Sequence, residues 1–202
     1  MSGAKVTVTA WTIQKIAAEV WLNLYSAKVP FEQFHRDTFW AQKELGRELK
    51  ALRRAGARVL RVTLNATGGA ISYCNGIARA IADWKGPKRL LIAGQCASAA
   101  TLILCVPAWD DTAITPGSTV MIHRPRVEIY ARKDGIWGWI GQRQRASAEK
   151  TMARMYANWT GADRETVAGW MDGKTFTTQQ AVAVHLCGRV ITRWQWEKEE
   201  TT

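Results

Sequence analysis

Residues 59–98 read VLRVTLNATGGAISYCNGIARAIADWKGPKRLLIAGQCAS, and this stretch decides the fold. Val59–Asn65 is rich in aliphatic and β-branched residues and reads as a strand. The loop ATGGA, 66–70, hands the chain to a helix over about residues 71–84. Lys88–Ala93 is a second buried strand, and Gly94–Ser98 turns into another helix that ends near Pro107. Two strand–loop–helix units in succession argue for an α/β domain with a largely parallel sheet.

On the N-terminal side, residues 4–9 alternate and predict a strand, as do residues 18–24, with Val20, Leu22 and Leu24 on one face. From Phe31 to Arg54 the period becomes helical. Ala41, Leu45, Leu49 and Leu52 recur on one side, while Lys43, Arg47, Lys50 and Arg54 form a basic stripe read as a solvated face. Gly56 closes this helix. On the C-terminal side, short strands are expected at Asp111–Ile114 and Thr119–His123, and an exposed extended arm at 126–133. A long helix follows over 137–159, with Ala148, Met152, Met155, Tyr156 and Trp159 as its apolar stripe. Shorter helices at 164–171 and 178–185 and a strand at 189–192 complete the pattern, and the tail from residue 193 is expected to fray. The whole reads as one domain, 1–202, with an N-terminal segment 1–17, a core 18–192 and a tail 193–202.

The composition is that of a globular protein: 202 residues, 47% hydrophobic and 22% charged. Whole-chain disorder is excluded, and the length suffices for a core without metal or disulfide staples. The net charge of +11 permits anionic partners without selecting one. No nucleic-acid motif accompanies it, so nucleic acid is not expected as a partner. The four cysteines, Cys74, Cys96, Cys105 and Cys187, form no close pair that would suit a metal. Cys96 and Cys105 read as small buried hydrophobes. The N-terminus has no secretory pattern, and the most apolar segment, 97–109, is too short to span a bilayer, so a cytoplasmic protein without membrane contact is expected. Eleven tryptophans are many for this length. Trp40, Trp84 and Trp109 are expected to fill the core. Trp137, Trp139, Trp159, Trp194 and Trp196 are placed to serve subunit or partner contacts.

Three segments carry chemistry. Gly68-Gly69 directly after a buried strand frees backbone N–H groups that suit a developing oxyanion, although a Gly pair also makes an ordinary turn. Ser98 sits among small residues where a strand becomes a helix, a position that suits a nucleophile with the Ala99 N–H beside it and equally suits an N-cap. His123 ends an apolar strand before Arg124-Pro125, where a ring nitrogen can reach a neighbouring loop as general base. A lone histidine is more often structural, so it is the combination that carries weight.

Together these segments resemble the Clp protease proteolytic subunit, most of all the phage and prophage relatives that act in capsid maturation. The pattern Asn-x-x-Gly-Gly, then Gly-x-x-Ala-Ser, then Met-Ile-His stands here as Asn65 with Gly68-Gly69, Gly94 with Ala97-Ser98, and Met121-Ile122-His123. The resemblance runs over about residues 18–192. It implies a ClpP/crotonase-like α/β fold with repeated strand-strand-helix units and a protruding handle helix, matched by 137–159. It implies a serine endopeptidase with Ser98 as nucleophile, His123 as base, the Gly69 and Ala99 N–H groups as oxyanion hole, and Gly68 and Pro125 against the substrate. It further implies an oligomeric ring that encloses unfolded, scaffold or capsid polypeptides, with an AAA+ unfoldase or capsid proteins as partners. No cofactor or metal is implied.

Two departures stand out. An ungapped alignment on Phe176 puts Lys174 where the family carries its catalytic acid, and Asp172 lies two residues earlier. Asp172 is taken as the acid, with Asp163 as a weaker candidate. A Ser–Lys dyad through Lys174, as in signal peptide peptidases, would leave His123 idle and ranks low. The family's Ala-x-x-x-Gly-Leu-x-Asp ending reads here Ala181-Val-Ala-Val-His185-Leu-Cys-Gly188. These departures keep open an alternative, a catalytically inactive ring subunit with a scaffold or regulatory role.

Overall fold

A hairpin of two 12-residue strands opens the sheet: β1 (Lys5–Ile16) runs antiparallel to β2 (Glu19–Pro30) along its whole length. The computed structural model describes residues 5–106, 109–125 and 135–199. The chain then forms helix α1 (Phe31–Arg54), β3 (Val59–Ala66), α2 (Ile71–Ala82) and β4 (Lys88–Ala97). A single 3-10 turn (Ser98–Ala100) leads into α3 (Thr101–Leu104), followed by β5 (Asp111–Ile114) and β6 (Thr119–His123). Helices α4 (Gly135–Thr160) and α5 (Arg164–Trp170), strand β7 (Asp172–Thr177), α6 (Thr178–Ala183), β8 (Arg189–Val190) and α7 (Arg193–Lys198) complete the fold. The expected arm at 126–133 lies outside the described residues.

Strands β2, β3, β4, β5 and β8 are consecutive neighbours and all parallel, as the helical crossovers require. Val20, Leu22 and Leu24 of β2 and Leu60, Val62 and Leu64 of β3 are buried beneath α1 and α2. The stripe expected on α4 is present: Met152 and Tyr156 are buried, with Met155 and Trp159 packed against the core. The basic side chains Lys43, Arg47, Lys50 and Arg54 are exposed.

Strand β4 forks. Arg89–Ile92 pair with β5, while Gln95–Ala97 pair with β6. The join is Gly94, at φ +127°. A Cβ there would come within 2.4 Å of the Asn65 Oδ1. Side chains take over the backbone donors at the fork: Gly94 N–H donates to Ser118 Oγ at 2.8 Å, and Gln95 N–H to Asn65 Oδ1 at 3.0 Å. Buried backbone donors need such acceptors wherever the ladder is interrupted. Strand β7, over residues between the two expected helices to which the sequence assigns no element, adds antiparallel to β6 and carries a one-residue bulge opposite Met121–His123.

The described part of the tail, to residue 199, is ordered rather than frayed. Thr192 caps α7 with Gln195 in a reciprocal capping box, a T-x-x-Q pattern present in the sequence. Trp196 is 1% exposed, so it serves this chain's own core rather than a partner, whereas Trp194 is exposed. Trp196 packs with Leu91, Ala113 and Ile191, residues that form a cluster separate from the main core. The Arg61 and Arg89 guanidinium groups lie 5.5 and 4.9 Å from its ring. Arg61, buried at the centre of β3, pairs with Glu19 at 2.8 Å and donates to the Trp196 carbonyl at 2.9 Å and to the Glu199 carbonyl. Beside it, Asp111 and Glu199 share Arg89 and Arg189.

Truncating a fully buried tryptophan leaves a large cavity. Trp196→Ala is therefore expected to lower stability by about 3–5 kcal/mol, read from urea unfolding followed by far-UV circular dichroism. Partial burial pushes the Asp111 carboxyl up, but hydrogen bonds from Arg189 and Arg89 outweigh it and hold the group below the usual carboxylate range. Hydrogen bonds from Arg189 hold Glu199 low as well. Groups with a depressed folded pKa stabilise above their unfolded value and lose that contribution as pH falls through the folded one. The unfolding midpoint should thus drop as pH falls below about 4, and Glu199→Gln should flatten that dependence.

Candidate active site

The end of β4 places Ser98 at φ +57°, a left-handed conformation uncommon for a residue with a side chain. Ala97, not Ser98, occupies the N-cap, and the Ser98 hydroxyl caps nothing. It meets His123 instead: Ser98 Oγ lies 2.7 Å from His123 Nε2. His123 stands at the end of β6, and β6 pairs with the outer half of β4. The fork therefore brings the two side chains together.

The other ring nitrogen fixes the tautomer. His123 Nδ1 is 2.7 Å from the carbonyl oxygen of Arg124. A carbonyl only accepts, so Nδ1 carries the proton and Nε2 presents its lone pair to the Ser98 hydroxyl. This is the arrangement in which a serine can give up its proton as it attacks.

The strained turn is held from behind. Thr101 Oγ1 donates to the Ser98 carbonyl at 2.5 Å. With its one proton committed, Thr101 accepts from the Tyr156 hydroxyl at 2.6 Å. Burial pushes the Tyr156 phenol well above its usual range, so it stays a donor. The long helix α4 thus braces the Ser98 backbone through Thr101, a relay that the sequence reading missed. The sequence signal is slight: a tyrosine on the apolar stripe of a helix.

Gly68 and Gly69 have φ +94° and +132°. The loop they make presses on the serine turn. A Cβ at Gly68 would lie 2.6 Å from the Ala97 carbonyl oxygen, 2.8 Å from the Ala99 nitrogen and 3.1 Å from the Ser98 Cβ. Gly68 is buried and Gly69 exposed, and Ser98 is half-buried. Ala99 lies in the first turn of the 3-10 segment, where an N–H has no carbonyl of its own helix to meet. The loop therefore packs Gly68 against the serine turn, with Gly69 next along the chain.

The carboxylates fall elsewhere. Asp172 is the cross-strand partner of His123 in the β6–β7 register. Its side chain, however, accepts from Arg124 Nε at 2.8 Å and is 65% exposed. The structure brings Asp172 to the right position along the strand and does not bring its carboxylate to the imidazole. Asp163 is occupied as the N-cap of α5, accepting from the Glu165 and Thr166 N–H groups at 2.9 Å. Hydrogen bonds from Thr166 hold its carboxyl below the ordinary range. Lys174 is exposed, 5.9 Å from the Phe176 ring centre. Pro125 is buried in this chain, so it offers little surface to a substrate.

The four thiols are free and buried. Burial pushes the Cys96 and Cys105 thiols up and takes Cys187 to about 12. Cys96, two residues from Ser98, is thereby kept from forming a competing thiolate. Among the described residues, no helix is long and apolar enough to cross a membrane.

Comparison with known proteins addresses the family and the fold. The family model described as Clp protease matches residues 37–193. Among solved structures, a ClpP1 mutant from Listeria monocytogenes is similar in fold, with a TM-score of 0.65 and 18% identity over 76% of this chain and 85% of that one. With the family match spanning every segment that builds the Ser98–His123 site, the chain belongs to the Clp protease family.

Proposed function

We propose that this protein is a serine endopeptidase with Ser98 as nucleophile and His123 as its base. The observation that carries the reading is the 2.7 Å contact between Ser98 Oγ and a His123 Nε2 whose lone pair is directed by the proton on Nδ1. Ser98 Oγ attacks the scissile carbonyl carbon while its proton passes to Nε2. The Gly69 and Ala99 N–H groups take the negative charge that gathers on the carbonyl oxygen. His123 then protonates the departing amine, leaving an ester on Ser98. Water, giving its proton to Nε2, resolves the ester and releases the second product. Gly68 stays small so that the loop and the serine turn fit together.

The family supports a polypeptide as substrate. The further proposal is that the chains assemble into a ring and cleave unfolded, scaffold or capsid polypeptides within it, with an AAA+ unfoldase or capsid proteins as partners and a cytoplasmic setting. The long helix α4 is the element proposed to join rings.

A fluorophosphonate probe tests the chemistry without knowledge of the substrate. It should label wild-type protein on Ser98, and casein and short peptides should be cleaved. Ser98→Ala and His123→Ala should each lose at least about 10⁴-fold in rate at unchanged native mass. An assembled ring that neither labels nor cleaves, with or without an added unfoldase, would instead favour the inactive scaffold subunit. Gly68→Ala, whose Cβ would meet the Ala97 oxygen and Ala99 nitrogen, should reduce labelling about 100-fold, as loss of one oxyanion donor does.

A further inference from the structure

We infer that His123 is oriented by the main-chain carbonyl of Arg124, and that Pro125, Asp172 and Glu149 act as positioning residues that hold this carbonyl in place. The inference rests on the Ser98–His123 reading and deepens it: the third partner of the site is a peptide group, not a carboxylate.

Four constraints meet at Arg124. Its carbonyl accepts from His123 Nδ1 at 2.7 Å. Its N–H donates to the Met171 carbonyl at 2.7 Å, which ties it to the turn before β7. Its guanidinium binds Asp172 at 2.8 Å through Nε and Glu149 of α4 through a second nitrogen. The next residue is Pro125, which is buried. A residue before proline is barred from the helical region and held extended, so the direction of its carbonyl is set by covalent geometry. Three elements, β6, α4 and β7, therefore converge on one residue.

The placement of Asp172 follows from the same arrangement. The bulge in β7 contains Gly173 at φ +106°, and it shifts the register by one so that Asp172 stands opposite His123. There the carboxylate has two neighbours to choose from, and the permanently charged guanidinium takes it. Arg124 and Asp172 are 40% and 65% exposed, so their ion pair is screened and individually weak. Most of the rigidity comes from Pro125 and the Met171 hydrogen bond, and the two carboxylates add to it.

A carbonyl and a carboxylate predict different behaviour. A carboxylate on Nδ1 fixes the tautomer and stabilises the imidazolium, and losing it costs about 10⁴-fold. A carbonyl fixes the tautomer alone. The experiment uses the full chain and two readouts. One is the labelling rate of Ser98 by a fluorophosphonate across pH. The other is the tautomer and titration midpoint of His123 from imidazole ¹⁵N shifts, which needs no activity.

Asp172→Asn should leave the His123 tautomer unmoved and slow labelling less than tenfold. Arg124→Met should slow it to a similar extent, and Arg124→Met with Asp172→Asn should be no slower than Arg124→Met alone. Arg124→Lys should recover part of the loss. Pro125→Ala should mix the two tautomers and slow labelling about 10- to 100-fold, since a displacement near 1 Å suffices for a loss of that size.

A changed tautomer or a loss above 10³-fold in Asp172→Asn would overturn the inference in favour of a direct carboxylate. Unchanged tautomer and rate in both Pro125→Ala and Arg124→Met would overturn it as well. Should Pro125→Ala fail to fold, Arg124→Met and Asp172→Asn decide. Should wild type not label at all, the peptidase reading falls, while the ¹⁵N spectrum still decides which group holds Nδ1.

Discussion

Strand β4 must serve two neighbours, and the geometry of the site depends on how it does so. Its first half belongs to the parallel sheet through β5, and its second half turns away to pair with β6. The turn needs a backbone conformation closed to most residues and an empty space where a side chain would stand, and Gly94 meets both conditions. It also strands two N–H groups, which Ser118 and Asn65 collect. Because β6 follows only the outer half of β4, its last residue, His123, lies beside the residue that follows β4, Ser98. The asparagine of the family pattern is thus a structural acceptor at the fork, and the glycine is its steric complement.

The same economy of contacts continues behind the serine. The strain of a left-handed Ser98 costs on the order of 1–3 kcal/mol and persists only where the surroundings fix it. The Gly68 loop presses from one side, and the Thr101–Tyr156 relay holds the carbonyl from the other. The relay ends on α4, the helix that also supplies Glu149 to Arg124. One helix therefore braces both the Ser98 turn and the residue whose carbonyl meets His123. Any displacement of α4 along its axis would be felt at Ser98 and His123 together.

Much of this was legible in the residues. The bounds of α1, β5 and β6 follow from periodicity and from Gly, Pro and Asp punctuation, and the burial of Val20, Leu22 and Leu24 follows from strict alternation. Ser98 and His123 stand out in the sequence only in combination with Gly68-Gly69, since each alone suits a cap or a structural histidine; the fold sets them 2.7 Å apart. The errors share a cause, which is the choice among distant partners. Strand β7 was hidden because Gly173 and Lys174 break its alternation, yet a glycine within DGKTFT is a bulge signal. Asp172 is expected on the imidazole only through the family resemblance, which itself puts Lys174 at the acid position; which neighbour takes the carboxylate depends on a guanidinium whose location only folding determines. The ordered tail was missed although its T-x-x-Q capping pattern was in plain sight, since nothing local announces that Trp196 will meet an arginine 135 residues away.

That last contact has a consequence for how the chain comes into being on the ribosome. Arg61 lies in the middle of the sheet, 1% exposed, and two of its hydrogen-bond partners are carbonyls of residues 196 and 199. A nascent chain that has emerged only as far as β6 already possesses most of the parallel strands, but it still lacks those two acceptors and the indole that would cover the guanidinium. At that length Arg61 keeps Glu19 and the Trp21 ring beside it, both on β2. A buried charge short of its other partners is costly, so closing the sheet around β3 gains its full stability only with the segment that carries Trp196 and Glu199.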